Sequence, residues 1–303
     1  MKIVNLTTDE VINVKTFTFS GGEVNVKIEN PSLINEGDNI QITQHIHNSN
    51  DTMELLLVTN ALRQLFVGDI EVVIPYVPYA RQDRVMVEGE ALSIKVFAEI
   101  INAQNYKKVT ILDPHSSVTP ALINNVYIVD NTKFVLDCFE MLHERMKYFN
   151  GKENIFLVSP DAGALKKVEK CAKKLIEEKL IDNNPIIIGT KTRDVTNGKI
   201  LNSSINVEKI PANNVCVIID DICDGGRTFI ELAKVLRNAG AERICLFVTH
   251  GIFSAGFKPI FEEIDVIATT NSFKDVDDAD LECMNEFQNR NFRFIEKAVE
   301  ECI

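Results

Sequence analysis

Five short runs of mostly β-branched residues punctuate the chain, and each ends abruptly in a polar or glycine-containing turn. They are Val72-Val73-Ile74, Val109-Thr110-Ile111-Leu112, Ile155-Phe156-Leu157-Val158, Val215-Cys216-Val217-Ile218-Ile219 and Ile244-Cys245-Leu246-Phe247-Val248. None sustains the apolar–polar alternation of a half-buried strand, so each reads as a strand covered on both faces. Amphipathic stretches lie between them. Leu55, Val58, Leu62 and Leu65 make one helical stripe, with Asp51 as its expected cap and Gly68 as its stop. Ala164, Val168, Cys171 and Leu175 make a second, and Phe229, Leu232, Ala233 and Leu236 a third, ended by Gly240. Strand and helix in alternation predict an α/β fold of mainly parallel sheets flanked by helices. Ligands in such folds lie beyond the carboxyl ends of the strands.

At 303 residues the chain is long for a single core. The strand–helix pattern runs twice, with a seam near Asn131, where Asn131 or Thr132 is placed to cap a helix from Phe134 to Leu142. The expected domains are therefore 1–131 and 132–303. A formal net charge of −12 argues against a nucleic-acid surface, because phosphate backbones need a basic face. Any bound phosphate must be held by a few local cations and by backbone N–H groups. The seven cysteines are scattered singly, without zinc or redox spacing, and read as reduced thiols. The first residues lack the apolar core of a signal peptide, and no apolar run approaches membrane-spanning length, so a cytoplasmic protein without membrane contact is expected.

The segment VCVIIDDICDGGRTFIELAKVL carries the most chemistry. A buried strand delivers Asp220 and Asp221 at its end, and the tight loop Asp224-Gly225-Gly226-Arg227-Thr228 then opens a helix. Glycines allow successive N–H groups to turn toward one anion, and the helix N-terminus adds partial positive charge. Thr228 offers a hydroxyl and Arg227 a charged fork. The two acids would repel a phosphate but suit the vicinal hydroxyls of a ribose whose 5-phosphate lies in the loop. An acidic turn followed by a helix cap is the plainer reading of the acids alone. No Walker A sequence and no G-x-G-x-x-G occurs.

This segment resembles the phosphoribosyl-diphosphate-binding motif of the type I phosphoribosyltransferase fold, which serves enzymes that consume that compound and the synthase that makes it. Further segments resemble the ribose-phosphate pyrophosphokinase family. Val77-Pro78-Tyr79-Ala80-Arg81-Gln82-Asp83-Arg84 is similar to its ATP-binding segment, Leu112-Asp113-Pro114-His115 to its strand-end Asp-x-His, and Val158-Ser159-Pro160-Asp161-Ala162-Gly163 to its Ser-Pro-Asp turn. Phe19-Ser20-Gly21-Gly22-Glu23 is similar to the loop that reaches the adenine of ATP on a neighbouring subunit, and Val248-Thr249-His250-Gly251-Ile252-Phe253-Ser254 to the stretch after the last central strand. The resemblance implies two tandem phosphoribosyltransferase-type domains. It also implies ATP contacts from Phe19, Glu23, Arg81, Gln82, Asp83 and His115, and ribose 5-phosphate contacts from Asp220, Asp221 and residues 224–228. His115 and Asp161 would position Mg²⁺ with ATP, the imidazole touching either the metal, a phosphate or a coordinated water. Taken alone, Arg81 to Arg84 reads as a solvated loop with local ion pairs.

Lys191 and Arg193 occupy alternate positions of GTKTRD, and two cations so spaced on an extended segment share a side. The resemblance makes them the catalytic pair that stabilises the transferring group, with residues 194–208 as the flexible loop that follows. It implies the transfer of the β,γ-diphosphate of ATP to the anomeric hydroxyl of ribose 5-phosphate, in a homo-oligomer (a dimer or a hexamer). A phosphoribosyltransferase consuming the product, or a non-catalytic regulatory subunit of a synthase, is the alternative. The match departs at Gly225 and Arg227, where the family carries a hydroxyl and a glycine. It departs also at Gly21, where a polar residue helps select adenine, and at the usually basic stretch that here reads VMVEGE. His45 and His47 could share a strand face, but no Cys or carboxylate partner nearby suggests zinc. Asp275 to Asp280 reads as a solvated acidic surface.

Overall fold

The computed structural model describes residues 1–145, 154–182, 186–193, 200–275 and 293–302. The chain divides into two units, Met1–Asp130 and Asn131–Ile303.

In the first unit, β1 (Lys2–Asn5), β4 (Ile40–Thr43), β5 (Ile70–Ile74), β6 (Lys108–Leu112) and β7 (Val126–Val129) form one sheet in that order, while β2 (Val14–Thr18) and β3 (Val24–Ile28) form a separate hairpin. β1 pairs antiparallel with β4 at the edge, and all the other pairings of the sheet are parallel. Parallel neighbours need crossovers, which α1 (Ser49–Gln64), α2 (Ser93–Asn102) and α3 (Val118–Leu122) supply. Leu55, Val58 and Leu62 of α1 and Ile94, Phe97 and Ile101 of α2 close on Ile42, Val72, Ile74 and Ile111 of the sheet.

The cap of α1 differs from the sequence expectation. Asn48 is the N-cap, and its side chain accepts from the N–H groups of Asn50 and Asp51. Asp51 stands three positions further on, and its carboxylate accepts from the N–H of Asn48 at 3.1 Å, completing a reciprocal box. The helix also stops before Gly68, because Phe66 takes a left-handed φ of 57°.

The second unit repeats the plan with more strands. After α4 (Thr132–Glu140), which runs on into a π-helical turn at Met141–Arg145, come β8 (Asn154–Ser159), α5 (Leu165–Glu177), β9 (Ile187–Arg193) and β10 (Ile200–Ile205). They are followed by β11 (Asn214–Cys223), α6 (Arg227–Asn238), β12 (Arg243–Gly251), α7 (Lys258–Phe261), β13 (Val266–Thr270) and β14 (Arg293–Lys297). The sheet order is β10-β9-β8-β11-β12-β13-β14, parallel throughout except for the β10–β9 edge. β11 is central, with β8 and β12 on its two sides. Asn131 is the N-cap of α4 but makes no side-chain cap hydrogen bond; its side-chain Oδ1 instead accepts from the Cys171 thiol at 3.6 Å.

Part of the segment expected as a flexible loop is strand. Ile200 to Ile205 return along β9, pairing Ser203 with Lys191 and Ile200 with Arg193, and Thr190 and Ser204 share a 2.7 Å hydroxyl hydrogen bond. A backbone return satisfies the N–H and C=O groups that β9 would otherwise leave unpaired. Residues 194–199 lie outside the described residues, as do 276–280 of the acidic cluster and Cys283. The six described cysteines are buried free thiols. Among the described residues, no helix is long and apolar enough to cross a membrane.

Candidate active site

In the first unit the Arg-Gln-Asp-Arg segment leaves the carboxyl end of β5 through a turn in which Tyr79 adopts a left-handed φ of 64° and its carbonyl accepts from Gln82 N–H at 2.8 Å. Arg81, Gln82 and Arg84 are exposed, while Asp83 is buried. The Asp83 carboxylate accepts from Arg84 Nε at 2.9 Å and Nη2 at 3.2 Å. The hydrogen bonds from Arg84 and Ser116 and the nearby His115 hold its carboxyl down at about 2, against the opposing pull of burial. Asp83 thus brings together two segments that the sequence reading treated separately, the β5 turn and the β6 end. Its carboxylate is engaged by Arg84 and by Ser116 of the Asp113–Ser116 corner.

That corner is tightly built. Asp113, just past β6, is buried with a φ of 39°, and its N–H donates to Val129 at 2.7 Å. The chain then turns through Pro114 and leaves His115 exposed at the strand's carboxyl end. Phe19 and Glu23 sit at the tip of the β2–β3 hairpin, closed by Phe19 N–H to Glu23 at 2.8 Å and by an edge-to-face contact of Phe17 with Phe19. Phe19 is 52% exposed there.

In the second unit β11 continues past its apolar run as far as Cys223, so Asp220 and Asp221 lie within the strand. Burial, followed by the charge of Asp221, pushes the Asp220 carboxyl well above its ordinary range, and Lys167 opposes that rise. Lys167 of α5 places Nζ 3.9 Å from Asp221 Oδ1. The loop follows at once. Its helix-opening residue, Gly226, has a φ of 75°, and a Cβ there would meet Ile260 at 2.7 Å. Both the conformation and the close approach require glycine. Gly226 is the N-cap of α6 and has no side chain, so it offers no side-chain cap to the first-turn amides. Ser254 donates to Asp224 across the loop at 2.6 Å.

Asp161 lies in the turn after β8. Its Oδ1 accepts from the N–H of Gly163 at 2.9 Å and of Ala164 at 3.2 Å, while Ser159 Oγ donates to the Asp161 carbonyl at 2.7 Å. The carboxylate is thereby fixed at the start of α5. Gly189 of β9 packs against this turn; a Cβ there would lie 2.8 Å from the Pro160 carbonyl oxygen. Lys191 and Arg193 follow at alternate positions of the same strand, and their side chains lie outside the described residues. His115 belongs to the first unit and Asp161 to the second. Among the described residues no group of three or more His, Cys, Asp and Glu side chains is gathered to hold a metal ion.

Residues 1–104 match the N-terminal domain of ribose phosphate pyrophosphokinase, and residues 127–274 match the phosphoribosyl transferase domain. A ribose-phosphate pyrophosphokinase of Clostridium perfringens is 30% identical over 255 residues, 82% of this chain and 72% of that protein. The chain belongs to the ribose-phosphate pyrophosphokinase family. A second member, from Mycoplasma pneumoniae, is 32% identical over 226 residues, which are 73% of this chain and 64% of that protein. The crystal structure of phosphoribosylpyrophosphate synthetase from Mycobacterium smegmatis has the same fold. It aligns with a TM-score of 0.74 at 20% identity, covering 96% of this chain and 87% of that one.

Sequence reasoning missed Ser116, Lys167 and Ser254. Ser254 closes the quoted Val248 to Ser254 stretch, so a signal was present but no role was attached to it. Lys167 is one of several lysines in LKKVEKCAKK, and composition does not distinguish the one that faces β11.

Proposed function

We propose that this chain transfers the β,γ-diphosphate of ATP to the anomeric hydroxyl of ribose 5-phosphate, releasing AMP. The observation that carries the reading is the acid pair of β11 running directly into the glycine-opened N-terminus of α6. Carboxylates for ribose hydroxyls and backbone amides for a phosphate are thereby set a few residues apart, as the two ends of a pentose 5-phosphate require.

In this reading Asp220 and Asp221 accept the 2- and 3-hydroxyls, and the amides of Gly225 to Thr228 hold the 5-phosphate, with Arg227 and the Thr228 hydroxyl adding contacts. Arg81 and Arg84, the latter oriented by Asp83, and Gln82 take the ATP phosphates, and Phe19 and Glu23 take its adenine. The anomeric oxygen attacks the β-phosphorus in line while Lys191 and Arg193 neutralise charge on the bridging and non-bridging oxygens. No covalent nucleophile is needed, since alignment and charge neutralisation carry most of such a transfer.

Magnesium prefers hard oxygen donors, usually one or two carboxylates with substrate phosphates. Asp161, whose carboxylate is fixed by two backbone amides, fits that preference, and a site needing ATP oxygens to complete it would gather no three-residue cluster. His115 suits a phosphate oxygen or a coordinated water better. The ion, when bound, would neutralise phosphate charge. The exposed Phe19 at the hairpin tip favours work in a homo-oligomer, and a cytoplasmic location accords with the reduced thiols.

The test mixes the purified protein with ATP, Mg²⁺ and ribose 5-phosphate and follows products by phosphorus NMR. Equal formation of AMP and phosphoribosyl diphosphate is expected. ADP with inorganic phosphate would discard the β-phosphorus mechanism, and nucleotide binding without turnover would favour a regulatory subunit.

A further inference from the structure

We propose that Lys167 is a positioning residue for the sugar, supplying the counter-charge that lets Asp220 and Asp221 accept the ribose hydroxyls together. The inference rests on the reading of the acid pair as the ribose grip and adds to it a residue outside the loop.

Two adjacent carboxylates in one strand repel one another, and protonating either replaces an acceptor site with a donor and weakens a grip made of acceptors. Every element packed around the pair bears on this balance. β8, with the sequence NIFLVS, brings no titratable side chain. β12 brings His250, in register with Ile222, and its Nδ1 is engaged with Ser272 Oγ at 2.7 Å. The end of β11 and its loop bring Cys223, Asp224 and Arg227; Asp224 adds negative charge, and Arg227 is exposed at the start of α6.

α5 brings Lys167, which is the cation that acts on Asp220 among the described residues and lies 3.9 Å from Asp221. Its side chain is 21% exposed and that of Asp221 8%, so salt screens the pair less than it would a surface bridge. The placement is also held from behind. The first turn of α5 is anchored by Asp161, which accepts from Gly163 and Ala164. The ammonium therefore reaches the acids from the first turn of α5, an element separate from the loop assigned to the sugar phosphate.

A plain helix-to-sheet strut would look similar in a static structure but would not change the protonation of the grip. The test is isothermal titration of ribose 5-phosphate into the full-length wild type, Lys167→Met and Lys167→Arg between pH 5.5 and 8, without ATP, beside thermal melts of all three. Removing the cation should raise the pH at which the carboxylates become protonated. The acid-side loss of binding should then move up by about one pH unit, weakening affinity about tenfold within that limb. Lys167→Arg should restore the wild-type profile. A Lys167→Met variant that melts lower but keeps the wild-type pH profile would make Lys167 a strut and overturn the proposal while leaving the ribose reading standing. Failure of the wild type itself to bind ribose 5-phosphate would remove both.

Discussion

Ser254 donates a 2.6 Å hydrogen bond to the Asp224 carboxylate and so ties the segment after β12 to the first residue of the glycine loop. Asp224 places a negative side chain beside a loop that has to receive a phosphate. The Ser254 hydroxyl engages that carboxylate and offsets part of its charge. Ser254→Ala should therefore raise KM for ribose 5-phosphate by roughly three- to tenfold, the scale of one ordinary hydrogen bond, with a smaller effect on kcat. Steady-state kinetics with ribose 5-phosphate varied at saturating ATP read this directly, and an unchanged KM would show that the bond does not govern the loop.

Gly226 meets two constraints at once, a φ of 75° and an Ile260 side chain 2.7 Å from where a Cβ would stand. Gly226→Ala should cost on the order of 1–3 kcal/mol from backbone strain and displaced packing. Urea unfolding with and without ribose 5-phosphate separates the two consequences. The variant should have a lower midpoint and should lose most of the ligand-induced stabilisation.

Asp83 has a folded-state carboxyl held at about 2, below the ordinary value near 3.9. A depressed pKa contributes stability above the unfolded value and loses it as pH falls through the folded one. Asp83→Asn should therefore be less stable than wild type at neutral pH, by roughly 0.5–1 kcal/mol once solvent screening of the exposed Arg84 is included. The difference should shrink between about pH 4 and pH 2. ATP affinity should fall as well, because Arg84 loses its orienting partner; melts across that pH range and nucleotide titration at pH 7 test the two halves.

Lys191 sits on β9 opposite Ser203. If its charge acts mainly as the diphosphate moves, Lys191→Ala should lower kcat by about 10²–10³ while changing the dissociation constant of ATP only a few-fold. Equal losses in both quantities would make Lys191 a ground-state nucleotide ligand.

The parallel architecture was legible because buried parallel strands are continuous apolar runs, and all five runs became strands. The acid pair and its loop were legible for a related reason, since strand, acids, glycines and helix stripe are contiguous. What escaped were contacts between positions far apart in the chain. Asp224 and Ser254 are 30 residues apart, and neither pattern nor propensity pairs them. The cap of α1 escaped for a local reason. Asn48 and Asp51 are both good cap residues, and the structure uses each for the other's N–H. The Arg81–Arg84 segment combined two readings, because the local Asp83–Arg84 pair expected of a solvated loop is present, yet its acid is buried and also joined to the β6 corner.

Gly189 turns a packing contact into a ruler. Because β9 touches the Ser159-Pro160 turn with no side chain between them, the distance along the backbone from that contact to Lys191 is set by counting two residues, whatever the neighbouring loops do. A bulkier residue at 189 would push the strand outward or slip its pairing, and a slip by one residue would exchange the faces of Lys191 and Thr192. Position 189 therefore offers a way to displace the two cations without altering either of them.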